Sequence, residues 1–229
     1  MTPLVLNRHD GIMVVRDDVI VGGTKARVLP IWLPSGEEFV YASPAYGFAQ
    51  VALAVSCRDM GRRCTIFTAK RGRLHPRTRQ AKDAGATIVM VPTGYLSNVQ
   101  SKARAYCEAT GATLVPFGLN DGRFIEMLAA VAAQITYKPS EIWCVAGSGV
   151  LTQALRMAFP EVLINAVQIG KLPSLPPGCK TWIAPEKFEE TATLNPPFPS
   201  CSNYDAKAWR FIRLHARPRA MFWNVAADT

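Results

Sequence analysis

The feature that most constrains this chain is a regular alternation of short apolar runs with longer stretches carrying apolar residues at helical spacing. Glu38–Ala42 (EFVYA) predicts a buried strand, and Phe48–Met60 predicts the helix that follows it. Cys64–Thr68 predicts the next strand and Arg77–Ala84 a helix ending at Gly85. Thr87–Val91 is a third strand, and Leu96–Ala109 a helix with Gly111 as its stop. The pattern repeats with a strand over Ala112–Pro116, a helix over Phe124–Ile135 and a strand over Glu141–Ala146 (EIWCVA). A helix over Val150–Phe159 and a strand over Val162–Ile169 complete it. Strands and helices alternating at this spacing specify parallel βαβ units. Continuous apolar runs, rather than every-other-residue patterns, suit strands covered on both faces. The expected class is α/β. After Gly170 the Pro-rich segments LPSLPPG and LNPPFPS must be extended or loop. A helix over Tyr204–Ala216 and a strand over Ala220–Val225 close the pattern.

With 49% hydrophobic and 19% charged residues, 229 residues can bury a sizeable core, which excludes wholesale disorder. No window approaches the roughly 18 uninterrupted apolar residues of a membrane-spanning helix. The opening MTPLVLNRHDGIMVVRDD has no apolar core of a secretory leader, so a cytoplasmic protein is expected. Of the six cysteines, Cys57, Cys107 and Cys144 sit inside apolar periodic segments and no CxxC pair occurs, so reduced structural thiols are expected. The three histidines are far apart in sequence and make no zinc pattern. A net charge of +9 raises the expectation of an anionic partner, whether phosphate, cofactor or nucleic acid. Part of that excess is local: Arg58, Arg62, Arg63, Lys70, Arg71, Arg73, Arg77, Arg79 and Lys82 crowd one stretch. Lys207, Arg210, Arg213, Arg217 and Arg219 crowd another. Two solvated faces would explain these equally well.

Three turn segments beside strands or helices carry candidate chemistry. In Val21-Gly22-Gly23-Thr24-Lys25-Ala26-Arg27 a lysine opens a helix, where N–H groups disfavour a protonated amine. A partly desolvated lysine there has a depressed pKa and serves as nucleophile or base; the plain alternative is a surface lysine after a turn. Gly147-Ser148-Gly149-Val150-Leu151-Thr152 follows strand EIWCVA and precedes a helix, an arrangement whose convergent N–H groups cradle a phosphate. Its spacing is neither a P-loop nor GxGxxG, so a single phosphate fits better than a dinucleotide. Ser43-Pro44-Ala45-Tyr46-Gly47-Phe48 is again strand, turn and helix, with Ser43 a candidate cap at the edge where open α/β sheets bind ligands.

In this order and spacing the three segments resemble the fold-type II pyridoxal-phosphate enzymes, the tryptophan synthase β-like family. The flavour is that of aminocyclopropane-carboxylate deaminase and cysteine desulfhydrase. Val15-Arg16-Asp17-Asp18 followed by Gly22-Gly23-Thr24-Lys25-Ala26-Arg27-Val28-Leu29 is similar to that branch's "KRDD…GGNK.RKL". Ser43–Phe48 matches the place of "S-x-G-N-[HQ]", and Gly147–Thr152 looks like "GSGGT". The resemblance spans about residues 12 to 170. It implies a two-lobed, three-layer αβα fold with mostly parallel sheets, the smaller lobe over residues 38–116 and the larger over 1–37 and 117–229. It implies pyridoxal 5'-phosphate held by Lys25 as a Schiff base, by Ser43, and by Gly147, Ser148, Gly149, Val150, Leu151 and Thr152. Tyr46 becomes a candidate acid–base group, with packing as its other reading. Glu186, Glu189, Ser200 and Ser202 are the candidates for the ring-nitrogen partner.

The activity so implied is a lyase or deaminase that joins an amino acid or similar amine to the cofactor as an external aldimine and breaks a bond at Cα. A homodimer is implied too. Three other readings stay open. The basic stretches fit a lyase or decarboxylase acting on an amino-acid-modified base in viral DNA. AGSG-x-L-T after a strand would also seat a ribose phosphate in a phosphoribosyltransferase-like enzyme. A degenerate, non-catalytic binding module is the last.

Overall fold

A computed structural model of the chain describes residues 2–92, 94–170 and 175–228. It divides into two compact units: Met1–Arg27 with Asn120–Thr229, and Val28–Leu119.

The smaller unit follows the sequence pattern closely. Strands β3 (Glu38–Ala42), β4 (Arg63–Ala69), β5 (Thr87–Val91) and β6 (Thr113–Leu114), numbered in chain order after two earlier strands given below, form one parallel sheet in the order β5-β4-β3-β6. All five residues of β3 are buried, because helices cover the sheet and leave no polar face for alternation to report. The helix α1 (Gly23–Trp32) runs across the boundary at Arg27, and the connections of this sheet contain α2 (Ala49–Asp59), α3 (Pro76–Asp83) and α4 (Leu96–Thr110). Gly111 caps α4 in the left-handed conformation, as the sequence predicts. The strand predicted over Ala112–Pro116 pairs with β3 only at Thr113 and Leu114, which shortens it to an edge.

In the larger unit β1 (Leu6–His9) and β2 (Ile12–Arg16) form an antiparallel hairpin that the apolar pattern does not announce, since β1 reads LNRH and is mostly exposed. Its Asp10-Gly11 turn has φ of 49° and 82°, the two left-handed positions of a type I′ loop. The six-stranded sheet runs β1-β2-β10-β7-β8-β9, with β7 (Glu141–Ala146), β8 (Leu163–Gln168), β9 (Cys179–Ile183) and β10 (Met221–Asn224). Every pairing except β1 with β2 is parallel. Helices α1 (Gly23–Trp32), α5 (Gly122–Ala132) and α6 (Val150–Ala158) follow β2, precede β7 and follow β7 respectively.

Two features of the C-terminal third go beyond the sequence reading or correct it. Between the two Pro-rich segments, Cys179–Ile183 pairs with β8 as an edge strand, half-exposed and therefore without an apolar run. The LPSLPPG segment falls partly on residues 171–174, outside the described ones. The single helix expected over Tyr204–Ala216 is instead a 3-10 turn at Asp205–Ala208 followed by α7 (Trp209–His215). Trp209 and Ile212 of α7 pack with Trp143, Val145, Phe198 and Phe222 in one core cluster. All six cysteines are free thiols. Among the described residues no helix is long and apolar enough to cross a membrane.

Candidate active site

The parallel strands of the larger unit end together: β2 at Arg16, β10 at Asn224, β7 at Ala146 and β8 at Gln168. Open parallel sheets bind ligands at this carboxyl edge. Asp17, one residue beyond β2 and fully buried, organises it. Its Oδ2 accepts from the Thr24 hydroxyl at 2.7 Å and from Trp223 Nε1 at 3.0 Å, and its Oδ1 accepts from Arg27 Nε at 2.7 Å. Arg27 also donates to the backbone carbonyls of Thr2 and Pro3. Thr24 and Arg27 bracket Lys25, so one carboxylate fixes the first turn of α1 and with it the root of the Lys25 side chain.

Lys25 lines a pocket together with Ser148, Gly149, Val150, Leu151 and Tyr204. Its empty space is about 370 Å³, open mouth included. The residue keeps part of its surface accessible while its amine is dehydrated. Desolvation lowers the Lys25 pKa below 10.5, and the negative charge of Asp205 opposes that shift without cancelling it. Burial of the protonated amine is a cost to folding that is complete below the Lys25 pKa and vanishes above the free-lysine value.

At the other wall Gly149 is the N-cap of α6 and brings no side-chain acceptor to the first-turn N–H groups. Gly147 is different: its N–H donates to the Tyr204 hydroxyl at 2.8 Å. A Cβ there would lie 3.0 Å from Tyr204 Oη and 3.1 Å from Cε2, so only glycine lets that ring close over the loop. Thr152 points the other way, with its buried hydroxyl 3.4 Å from Cys144 Sγ. Of the six loop residues picked from sequence, Ser148 to Leu151 face the Lys25 pocket, and Gly147 and Thr152 are committed elsewhere.

The sequence reading did not single out Tyr204, which lines this pocket, or Asp205, whose charge acts on Lys25. Asp205 is fully buried, its Oδ2 accepts the Ala226 N–H at 3.2 Å, and its charge reaches Lys25, Tyr204 and Cys144. Burial, reinforced by Asp205, pushes the Tyr204 phenol well up, so it stays protonated. The one available signal was an acidic residue at the head of a predicted helix.

Glu186 is held apart from this pocket. Thr193 donates to its Oε1 at 3.1 Å and Arg210 lies 3.5 Å away. Desolvation pushes its carboxyl up, but hydrogen bonds from its own backbone and from Thr193, helped by Arg210, outweigh that and hold it below the usual range. Glu189 is exposed, Ser200 donates to Asn224 at 2.7 Å, and the Ser202 N–H donates to Asp228.

Ser43 and Tyr46 belong to the smaller unit. Ser43 does not cap the helix after it: the N-cap of α2 is Phe48, too far along the chain, and the Ser43 hydroxyl donates to Pro44 O at 2.9 Å. The loop is held instead by the buried Gln50, whose Nε2 donates to the carbonyls of Ala45 and Gly47 at 3.0 and 2.9 Å. Tyr46 packs on His75 at 4.2 Å, with Arg71 over its ring.

Because Asp205 opposes the drop in Lys25 pKa, Asp205→Asn should lower that pKa further. The pH midpoint for labelling Lys25 with an amine reagent, followed by peptide mass spectrometry, should move down. An unchanged or higher midpoint would contradict the electrostatic assignment.

No protein-family model and no curated protein matches the chain. Solved structures do. An ACC deaminase homologue superposes with a TM-score of 0.75 at 12% identity, covering 94% of this chain and 84% of that one. The processed threonine deaminase isoform 2 from Solanum lycopersicum gives 0.72 at 12%, with 99% and 84% covered. A pyridoxal 5'-phosphate-dependent aspartate racemase gives 0.65 at 12%, with 100% and 90% covered. These likenesses show the fold, a mixed α/β architecture with parallel sheets shared with those three proteins.

Proposed function

We propose that this chain is a pyridoxal-phosphate-dependent enzyme acting on an amino acid or amino-acid-like amine, of the deaminase or lyase type. The observation that carries the reading is one pocket, in this fold, bounded by a desolvated lysine amine and a helix N-terminus with a glycine cap. The residue types suit the group. An aldehyde needs an amine, which Lys25 offers; a phosphate dianion needs N–H donors, which the first turn of α6 offers. A cationic ring nitrogen needs a buried anion, which Asp205 offers in place of Glu186. Bound there, the cofactor would supply an electron sink for the bond broken at the substrate Cα.

The chain's own residues do the rest. Lys25 Nζ carries a proton to or from the substrate, with a pKa brought toward the working range by burial. Tyr204, kept neutral, holds the phosphate loop through Gly147 and is a proton donor rather than a base. The deaminase and desulfhydrase flavour, with β-elimination or ring opening, rests on the Lys25 and Gly147–Thr152 motifs.

The test is a titration of the purified protein with pyridoxal phosphate, followed by a screen of amines. A new visible absorption band that shifts with particular amines supports the reading. A band that no amine shifts would leave a binding module, and a colourless protein would return the pocket to a phosphoribosyltransferase-like reading.

A further inference from the structure

Of the two basic stretches in the sequence, the structure spends one internally. Lys207 is buried and donates to Lys187 O, Arg210 faces Glu186 at 3.5 Å, and Arg213 pairs with Asp10. Arg217 lies 3.8 Å from Glu141, and Arg219 donates to Lys138 O. The other stretch, in the smaller unit, keeps its charge outside. Residues 70–82 contain no Asp or Glu. Arg77 is buried with its guanidinium over the Phe48 ring, but Lys70, Arg71, Arg73, Arg79 and Lys82 are exposed. Among the described residues none of these five pairs with a carboxylate. Arg58 and Arg63, just before them, face Asp59 and Glu38.

These cations follow one element. The Arg71 guanidinium lies 5.5 Å from the centre of the Tyr46 ring, and that ring meets His75 at 4.2 Å. His75 is the N-cap of α3, its Nδ1 accepting the Arg77 N–H, so Arg71 sits at the head of that helix. Arg79 and Lys82, three residues apart, share a face further along it. The eight residues of α3 span about 12 Å. One small anion would meet only part of that length, whereas one strand of a duplex presents about three or four phosphates over it. Among the described residues between Arg58 and Val89 no large apolar side chain is exposed, so the face lacks the apolar anchors of a membrane-surface helix. Right-handed crossovers put α2 and α3 on one side of the sheet and α4 on the other, because the strand order advances through β4 to β5 and then returns to β6.

We propose that this face of the smaller unit binds the sugar-phosphate backbone of a nucleic acid. The inference uses nothing from the chemistry of Lys25, so either reading survives failure of the other. Fluorescence anisotropy on the full chain would use a short duplex DNA and a short oligothymidylate, with phosphatidylserine vesicles as the competing polyanion. Arg73→Ala with Arg79→Ala should weaken DNA binding about tenfold and lower the slope of log affinity against log salt by about two, one per charge removed. Lys102→Ala with Arg104→Ala takes the same charge from exposed positions of α4, across the sheet, and should change affinity less than about threefold. All four side chains are on the surface, which keeps the comparison one of folded proteins. Binding of either DNA probe with this dependence on salt and on the Arg73/Arg79 pair supports the proposal. Absence of DNA binding at low salt, an affinity that salt does not weaken, equal loss in the two pairs, or binding to vesicles alone would overturn it.

Discussion

Replacing Lys25 with alanine should abolish covalent capture of pyridoxal phosphate. Wild-type protein mixed with the cofactor and reduced with borohydride should gain the mass of one reduced cofactor on the peptide containing Lys25, and Lys25→Ala should gain none. Turnover of any amine that the wild type processes should fall by about 10²–10⁴-fold from the loss of a positioned proton carrier alone. The size of the effect follows from the pocket: Lys25 is the lysine lining it, and its amine is already desolvated. A second buried lysine supplies the control. Lys207 is 1% exposed, but its Nζ donates to Lys187 O at 2.6 Å and tethers the segment around Glu186. Lys207→Met should therefore lower stability and leave capture intact. Capture that survives Lys25→Ala would place the reactive amine elsewhere and remove the basis of the proposed function.

The layered α/β architecture was legible because buried parallel strands advertise themselves. β3, β5 and β7 have the bounds expected from their apolar runs, and α6 begins at Val150 as expected. β2 went unread although it is largely buried and paired on both sides; the other strands that escaped lie at the sheet margins. β1 and β9 have half-exposed faces, so neither supplies the run that marked the interior strands. The Asp10-Gly11 pair was a hairpin signal in its own right, hidden because the polar strand before it shows no apolar pattern. At the C-terminus, burial of Asp205 and Lys207 at 0% and 1% exposure breaks the rule that charged residues lie outside, so helical periodicity misjudged that turn.

In the candidate site, the Lys25 and Ser148–Leu151 segments were visible because turns and helix starts have local signatures. Tyr204 had none, and Asp205 had only its place at the head of a predicted helix. Tyr204 lines the pocket, and Asp205 bonds the chain just past β10, a strand that lies between β2 and β7 in an order that no local pattern encodes. Ser43 misled for a geometric reason: a capping residue works only next to its helix, and α2 starts six residues later. Asp17 could be matched to a motif, but its work could not be read, since one of its three donors, Trp223, lies 206 residues away.

Asp17 is also the residue whose loss should destabilise the protein most. The Asp17 and Arg27 side chains are both fully buried, so Asp17→Ala strands a guanidinium without its countercharge, leaves the Thr24 hydroxyl without its acceptor and leaves Trp223 Nε1 with Thr24 Oγ1 alone, at 2.9 Å. Removing one partner of a buried pair costs about 3–5 kcal/mol. The cost should appear as a lower urea midpoint with an unchanged slope. Replacing both partners, Asp17→Leu with Arg27→Met, should recover much of it, because no isolated charge remains. Recovery of stability without recovery of cofactor capture would separate the two duties of the aspartate: neutralising Arg27, and holding Thr24 so that the next residue projects into the pocket. A loss below about 1 kcal/mol in Asp17→Ala would mean that the first turn of α1 is set by backbone contacts such as Thr24 N–H to Val225 O. Lys25 would then owe its placement to the strand next door rather than to the carboxylate.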